Sequence, residues 1–262
     1  MDEQIYDDIG TGYNSTRKAD PYLTSRIIDL LQPEKNKHYL DVGCGTGNYT
    51  YALWQQGIKF TGLDPSQRML DEAKKHQCEI EWVNGNAENI PFPENSFQGA
   101  IATLTVHHWK NQVLAFREIN RIMTPEGRFV LFTSTPEQMK GYWLNHYFPH
   151  MLRKSINQMP GFDETIFSLT KAGFEIFLTE KYEVRMDLSD HFLYAGKNNP
   201  LLYFDKNVRS GISSFAALSN EDEIEQGLAL LASDMRNKKF AEVQHHYMND
   251  SGDYLFIAAI KK

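Results

Sequence analysis

Cysteine is scarce: Cys44 and Cys78 are the two in 262 residues. A pair cannot build a disulfide framework or a zinc cluster, so a reduced, cytoplasmic setting is expected. Charge of one sign is not concentrated anywhere. The chain carries 27 Lys+Arg against 34 Asp+Glu, a net −7, and no Lys/Arg-dense stretch marks a nucleic-acid footprint. No apolar run approaches the roughly 20 residues that a membrane helix requires. The acidic, polar start is unlike a signal peptide. Repeats and low-complexity tracts are also missing. A metal site is not expected: His146 and His150 stand four residues apart, but no third ligand or HExxH pattern accompanies them. What remains is a globular chain, 41% hydrophobic, long enough for one large α/β domain or two small ones.

Against that background, the stretch Leu40-Asp41-Val42-Gly43-Cys44-Gly45-Thr46-Gly47-Asn48 stands out. It reads as the end of a buried strand, a glycine-rich turn and the first turn of a helix. Glycines at such a turn tolerate positive φ or let backbone approach a ligand, and the helix that follows presents unpaired N–H groups. In an open α/β sheet this combination places a ligand at the carboxyl end of a strand. The dinucleotide fingerprint needs a glycine where Asn48 stands, which disfavours a nicotinamide or flavin site.

The rest of the chain alternates. Strands are expected at about 39–42, 59–63, 79–83, 99–104 and 128–133. Helices are expected at 20–32, 48–56, from Pro65-Ser66 onward and at 111–123. Asp20-Pro21 starts the first helix, as an N-cap followed by proline. Thr124-Pro125-Glu126-Gly127 has the composition of a turn. Such alternation predicts a parallel, doubly wound α/β sheet. After Pro136 the rhythm breaks. Residues 137–160 are aromatic and helical in character, 163–172 is a short helix capped by Asp163, and 174–184 is a strand. The long connection 187–249 is mostly helical, with its clearest helix at 221–235, and 254–260 is the last strand. A connection of that length is usually functional.

Several motifs converge on one family. The turn's acidic-x-Gly-x-Gly-x-Gly pattern is followed by Asp64-Pro65-Ser66 with Met69-Leu70. Then come Gly85-Asn86-Ala87-Glu88-x-x-Pro91-Phe92 and Arg117-Glu118-Ile119-x-Arg121-x-Met123-x-Pro125-x-Gly127. The chain resembles class I S-adenosylmethionine-dependent methyltransferases of the quinone-biosynthesis-like, small-molecule branch, closely over about 35–135 and loosely elsewhere. The resemblance implies a seven-stranded, mostly parallel sheet with the last strand antiparallel, flanked by helices and covered by a helical lid. It implies a single domain over 1–262, with the core at about 20–136, 161–184 and 250–262. Lid or cap segments would be 1–19, 137–160 and 187–249.

The implied cofactor is S-adenosylmethionine and the implied partner a small-molecule acceptor. Asp41, the acidic residue of the first motif, and Pro65 are expected among the cofactor-binding residues; Gly43 and Gly45 would face the methionine part of the cofactor. Asp64, with Pro65 beside it, ends a strand where a carboxylate can accept both ribose hydroxyls, although capping the next helix is the plainer role. Asn86 and Ala87 would meet the adenine edge. The family usually has Asp where Asn86 stands; an amide oxygen can still accept from the adenine amino group, without charge. Leu104 lies in the segment 103–109 that passes beside the sulfonium. There His107 or His108 could serve as general base, or could simply cap and pack. Tyr13 and Arg17 match a lid segment in which Arg17 could pair with the cofactor's carboxylate, or they are surface helix residues. Tyr142, Trp143, Tyr147 and Phe148 are either lid core or the wall of an apolar acceptor pocket, and at least one is expected to line it with His107 or His108. The rival readings are a cofactor-binding regulatory protein without turnover and a nicotinamide oxidoreductase.

Overall fold

A computed structural model describes residues 16–262. Helix α1 (Pro21–Leu31) starts where proline's fixed φ suits the first turn, and the Asp20 side chain accepts from Leu23 N. Then follow β1 (His38–Val42), α2 (Asn48–Gln55), β2 (Lys59–Asp64), α3 (Gln67–Ala73), β3 (Glu81–Asn84), β4 (Phe97–Thr103), α4 (Gln112–Ile122) and β5 (Met123–Thr133). Four short helices come next: α5 (Pro136–Lys140), α6 (Leu144–Tyr147), α7 (Pro149–Gln158) and α8 (Phe162–Lys171). After β6 (Phe174–Tyr182) lie α9 (Lys206–Ser210), α10 (Ser213–Leu218), α11 (Glu221–Arg236), α12 (Phe240–Tyr247) and finally β7 (Tyr254–Lys261). No described helix is long and apolar enough to cross a membrane.

The seven strands form one sheet in the order β3-β2-β1-β4-β5-β7-β6. All neighbours through β5 are parallel, while β7 pairs antiparallel with both β5 and β6. Chain order reverses between β1 and β4, the switch point outside which open α/β sheets hold ligands. Alternation along the strands divides the interior in two. Val130 and Phe132 of β5 and Phe256 of β7 join the aromatic cluster that also holds Tyr142, Trp143, Tyr203 and Phe215. Their neighbours Phe129, Leu131 and Ile257 point to the other face, onto Phe116 and Ile119 of α4.

Two local expectations need correction. Residues 124–127 do not end the α4–β5 connection as a free turn. β5 begins at Met123, opposite Phe97, and the register slips before Gly99 meets Arg128. The turn-forming residues, with Glu126 at φ +63, are absorbed as a bulge in a strand whose ladder holds them on both sides. The N-cap of α8 is Gly161, not Asp163, which lies in the first turn, where a carboxylate still complements the helix dipole.

Trp82 of β3 fixes the back of the glycine turn. Its indole lies where a Cβ would project from both Gly47 and Gly62. Neither position has room for a larger residue while that ring stays in place.

Candidate functional site

The N–H groups of Gly43 and Cys44 both donate to Leu63 O, at 2.8 and 3.0 Å, which sews the turn after β1 to the end of β2. Gly43 has φ +77, and a Cβ there would collide with the Thr105 side chain. An added Cβ at Gly45 meets nothing within 4 Å, so this peptide is bare to a cavity. Gly45 N donates to Asp64 Oδ2 at 2.8 Å and Ser66 N to Oδ1 at 2.9 Å. Met69 N donates to Ser66 Oγ; the cap of α3 is therefore Ser66, and Asp64 is not consumed by that role. Each Asp64 oxygen accepts one N–H and can accept another donor. The residue is 8% exposed, and burial pushes its carboxyl up to about 6 against the two N–H bonds that pull it down.

Asp41 lies behind the turn. Thr50 Oγ1 donates to its Oδ2 at 2.6 Å, tying α2 to β1, while Oδ1 is buried without a hydrogen-bond partner. Burial pushes the Asp41 carboxyl to about 7, with the charge of Asp64 acting in the same direction. Asp41 does not line the cavity, whereas Gly43, Gly45, Asp64 and Pro65 do.

The loop after β3 supplies another wall. Asn86 is exposed and lines the cavity; Ala87 is buried with Leu63 and Ile90 and does not. Glu88 accepts the N–H of Lys110 at 2.6 Å and of Asn111 at 3.3 Å, which closes this loop onto the start of α4. At the end of β4, Leu104 adopts φ +53 while its N–H donates to Phe132 O at 2.8 Å. A left-handed leucine costs on the order of 1–2 kcal/mol, and such strain concentrates at functional sites. His107 and His108 follow, both on the wall, with ring centroids 3.9 Å apart. Burial, helped by His108, holds His107 well below the ordinary imidazole range, and its Nδ1 is buried without a hydrogen-bond partner.

Arg17 also lines the cavity, but its guanidinium is engaged: Nε donates to Asp190 Oδ1 at 2.5 Å and Nη2 to Oδ2 at 3.3 Å. Tyr49 OH donates to the same Oδ2 at 3.2 Å. Tyr13 lies outside the described residues.

Together these groups bound a cavity of about 520 Å³, within the usual range for small-molecule sites. The opposite wall comes from α5, α7, α10, β7 and the 190–193 segment. Of the four aromatics at 142–148, Tyr142 reaches it; its hydroxyl donates to Asp253 O at 2.5 Å and lies 2.9 Å from Ser134 Oγ. Trp143 does not. It is 1% exposed, packs edge-on against Tyr147, Tyr203 and Phe240, and donates Nε1–H to Lys197 O at 3.1 Å.

The methyltransferase domain model matches residues 40–131, from β1 through β5. A crystal structure of a putative methyltransferase from an antibiotic biosynthesis pathway of Anabaena variabilis superposes with a TM-score of 0.83. It is 35% identical and covers 93% of this chain and 98% of its own. This chain belongs to the class I methyltransferases. Among curated relatives, an uncharacterized methyltransferase of Mycobacterium tuberculosis is 29% identical over 133 residues, 51% of this chain and 54% of that protein. The demethylmenaquinone methyltransferase of Staphylococcus carnosus is 26% identical over 241 residues, 86% of this chain and 95% of that one. The chain spans about half the length of several curated relatives it matches, the mycobacterial protein among them.

Of the residues singled out in the sequence, Arg17, Gly43, Gly45, Asp64, Pro65, Asn86, Leu104, His107 and His108 lie on the near wall of this cavity and Tyr142 on the far one, while Asp190, Phe192, Ser155 and Ser214 of the far wall were not among them. Asp190, Phe192, Ser155 and Ser214 come from separate segments with no local motif. The available signals were the broken rhythm at 137–160, which holds Ser155, and the unusual length of the 187–249 connection.

Proposed function

We propose that the protein moves a methyl group from S-adenosylmethionine to a small-molecule acceptor by in-line displacement. The observation that carries this is Asp64: a buried carboxylate on the cavity wall, beside the bare Gly45 peptide, with each oxygen held by one N–H and open to one more donor. Two adjacent ribose hydroxyls are the natural complement. Asn86 would accept from the adenine amino group, with the neighbouring Ala87 supporting the loop from the core. Gly43, Gly45 and Leu104 would frame the methionine part, and Arg17 its carboxylate; Asp41 holds the turn from behind. Bound S-adenosylmethionine supplies an electrophilic methyl carbon on a cationic sulfur. What the protein adds is alignment and exclusion of water, the latter through the helical segments that serve as a lid.

A methyl acceptor bearing O–H or N–H must release its proton. His107 lines the cavity and burial keeps it neutral across the physiological range, so it is the base of choice, with His108 adjusting its proton affinity. Its depressed pKa makes it a modest base, suited to a proton that leaves as charge develops. His107→Asn should lower kcat by roughly 100-fold, the low end for general-base catalysis, with affinity for S-adenosylhomocysteine unchanged. The wild-type rate should keep its plateau through pH 6.5, because His107 protonates only at lower pH. A full-speed His107→Asn enzyme would remove the histidine from the mechanism.

The whole reading is tested by thermal shift and turnover. S-adenosylhomocysteine should raise the melting temperature where NAD does not, and neutral phenols and hydroquinones should release S-adenosylhomocysteine from S-adenosylmethionine. Stabilisation by NAD alone would overturn the cofactor assignment. Cofactor binding with no release across the panel would favour a regulatory protein without turnover.

A further inference from the structure

The far half of the cavity is walled by Met139, Met159, Phe192, Leu193 and Ile212. Its polar groups are few, and most are spent. Ser134 and Tyr142 direct their hydroxyls to each other and to Asp253 O. Ser155 of α7 and Ser214 of α10 face each other at 2.9 Å between oxygens. Each is 6% exposed, and both line the cavity. Two hydroxyls carry two protons, and one bond between them uses one. Neither serine makes another hydrogen bond among those of the described residues, so one O–H remains to donate into a mostly apolar chamber whose other wall hydroxyls include those of Ser213 and Tyr254. A buried donor left unmatched is costly, and a ligand oxygen would satisfy it.

Charge on the wall narrows the ligand further. Arg17 and Asp190 are paired with each other, and Asp64 stands at the cofactor end. Glu88 takes the N–H groups of the 110–111 backbone, and Lys110 is exposed beside it at the rim. Among the described residues, the enclosed half beyond the Arg17–Asp190 pair therefore offers no cation to a carboxylate or phosphate and no anion to an ammonium. A charged group placed there would lose its hydration without compensation.

Resting on the methyltransferase reading, we propose that the methyl acceptor is an uncharged, largely apolar molecule bearing a hydrogen-bond-accepting oxygen, which the Ser155–Ser214 hydroxyl pair recognises. The two serines act as specificity-determining residues, away from the reacting atoms. The alternative is that the pair only ties α7 to α10.

The test uses the full chain and three matched probes: 2-acetylnaphthalene, 2-ethylnaphthalene and 2-naphthoate, titrated by calorimetry with and without saturating S-adenosylhomocysteine. The ketone should bind about five- to tenfold tighter than the hydrocarbon, the worth of one net hydrogen bond, and the carboxylate weaker than both. In S155A/S214A, where both partners of the pair are removed together, the ketone's preference should vanish while hydrocarbon binding and melting temperature stay close to wild type. Naphthoate binding as tightly as the ketone overturns the proposal, as does a preference that survives the double substitution or the absence of binding by any probe. If S-adenosylhomocysteine itself does not bind, the cofactor reading falls separately, and the titrations without it still decide what the chamber takes.

Discussion

Asp64→Ala is expected to weaken S-adenosylhomocysteine binding by one to two orders of magnitude, following the roughly 1.5–3 kcal/mol range for hydrogen bonds to charged groups. Alanine removes the proposed acceptor for the ribose hydroxyls and also strands the Gly45 and Ser66 N–H groups that now end on the carboxylate. Titration calorimetry reads the loss directly, and unchanged affinity would dismiss the site assignment. A pH dependence accompanies it. The Asp64 carboxyl is pushed up to about 6 by burial, above its ordinary value near 4. Its ionised form, the better acceptor, is therefore lost as pH falls through 6, and affinity should decline between pH 7.5 and 5.5. Stability runs the other way. Between about 4 and 6 the folded chain holds a proton that the unfolded chain has released, so ionising Asp64 lowers stability as pH rises through that window. Asp41, pushed to about 7 by burial, extends the same trend to neutral pH. The ligand-free protein should thus melt higher in mild acid, where it binds its cofactor less well.

Trp143→Ala is expected to cost about 3–5 kcal/mol of stability, as large-to-small changes of a buried aromatic do, or roughly 10 °C of melting temperature for a chain of this size. The indole fills the junction of α6, α12 and the 194–203 segment, and its removal takes away one of the two donors to Lys197 O, leaving Gln244 Nε2 as the other. Because it does not reach the cavity, S-adenosylhomocysteine affinity should stay within about twofold. Lost affinity at an unchanged melting temperature would return Trp143 to the acceptor wall.

The contrast between these two residues shows what a sequence can carry. Asp64 was legible because its surroundings are local: a strand end, a proline, a helix cap, and a glycine turn one strand away. Trp143 was not, since its neighbours along the chain, Tyr142 and Tyr147, divide between cavity and core with nothing in their spacing to say which. The serine pair brings together α7 and α10, and Asp190 meets Arg17 across most of the chain. Such pairings depend on tertiary packing, which periodicity does not encode. The bulge at 124–127 is a related case: residues with turn chemistry lie inside a strand because the Met123–Phe97 and Arg128–Gly99 pairs flank them.

The indole of Trp82 carries a consequence for descent. It occupies the space that side chains at positions 47 and 62 would need, so the last glycine of the turn is held in place by its neighbour as much as by any ligand. Lineages that keep the tryptophan are confined to glycine at both positions. Those that shrink it open position 47, where the glycine then persists only as far as its φ of +75 demands, while Cys44 Sγ still stands 2.8 Å from the Cβ position at 62. Substitutions at position 47 should therefore arrive with a smaller residue at 82, and those at 62 with smaller residues at both 82 and 44.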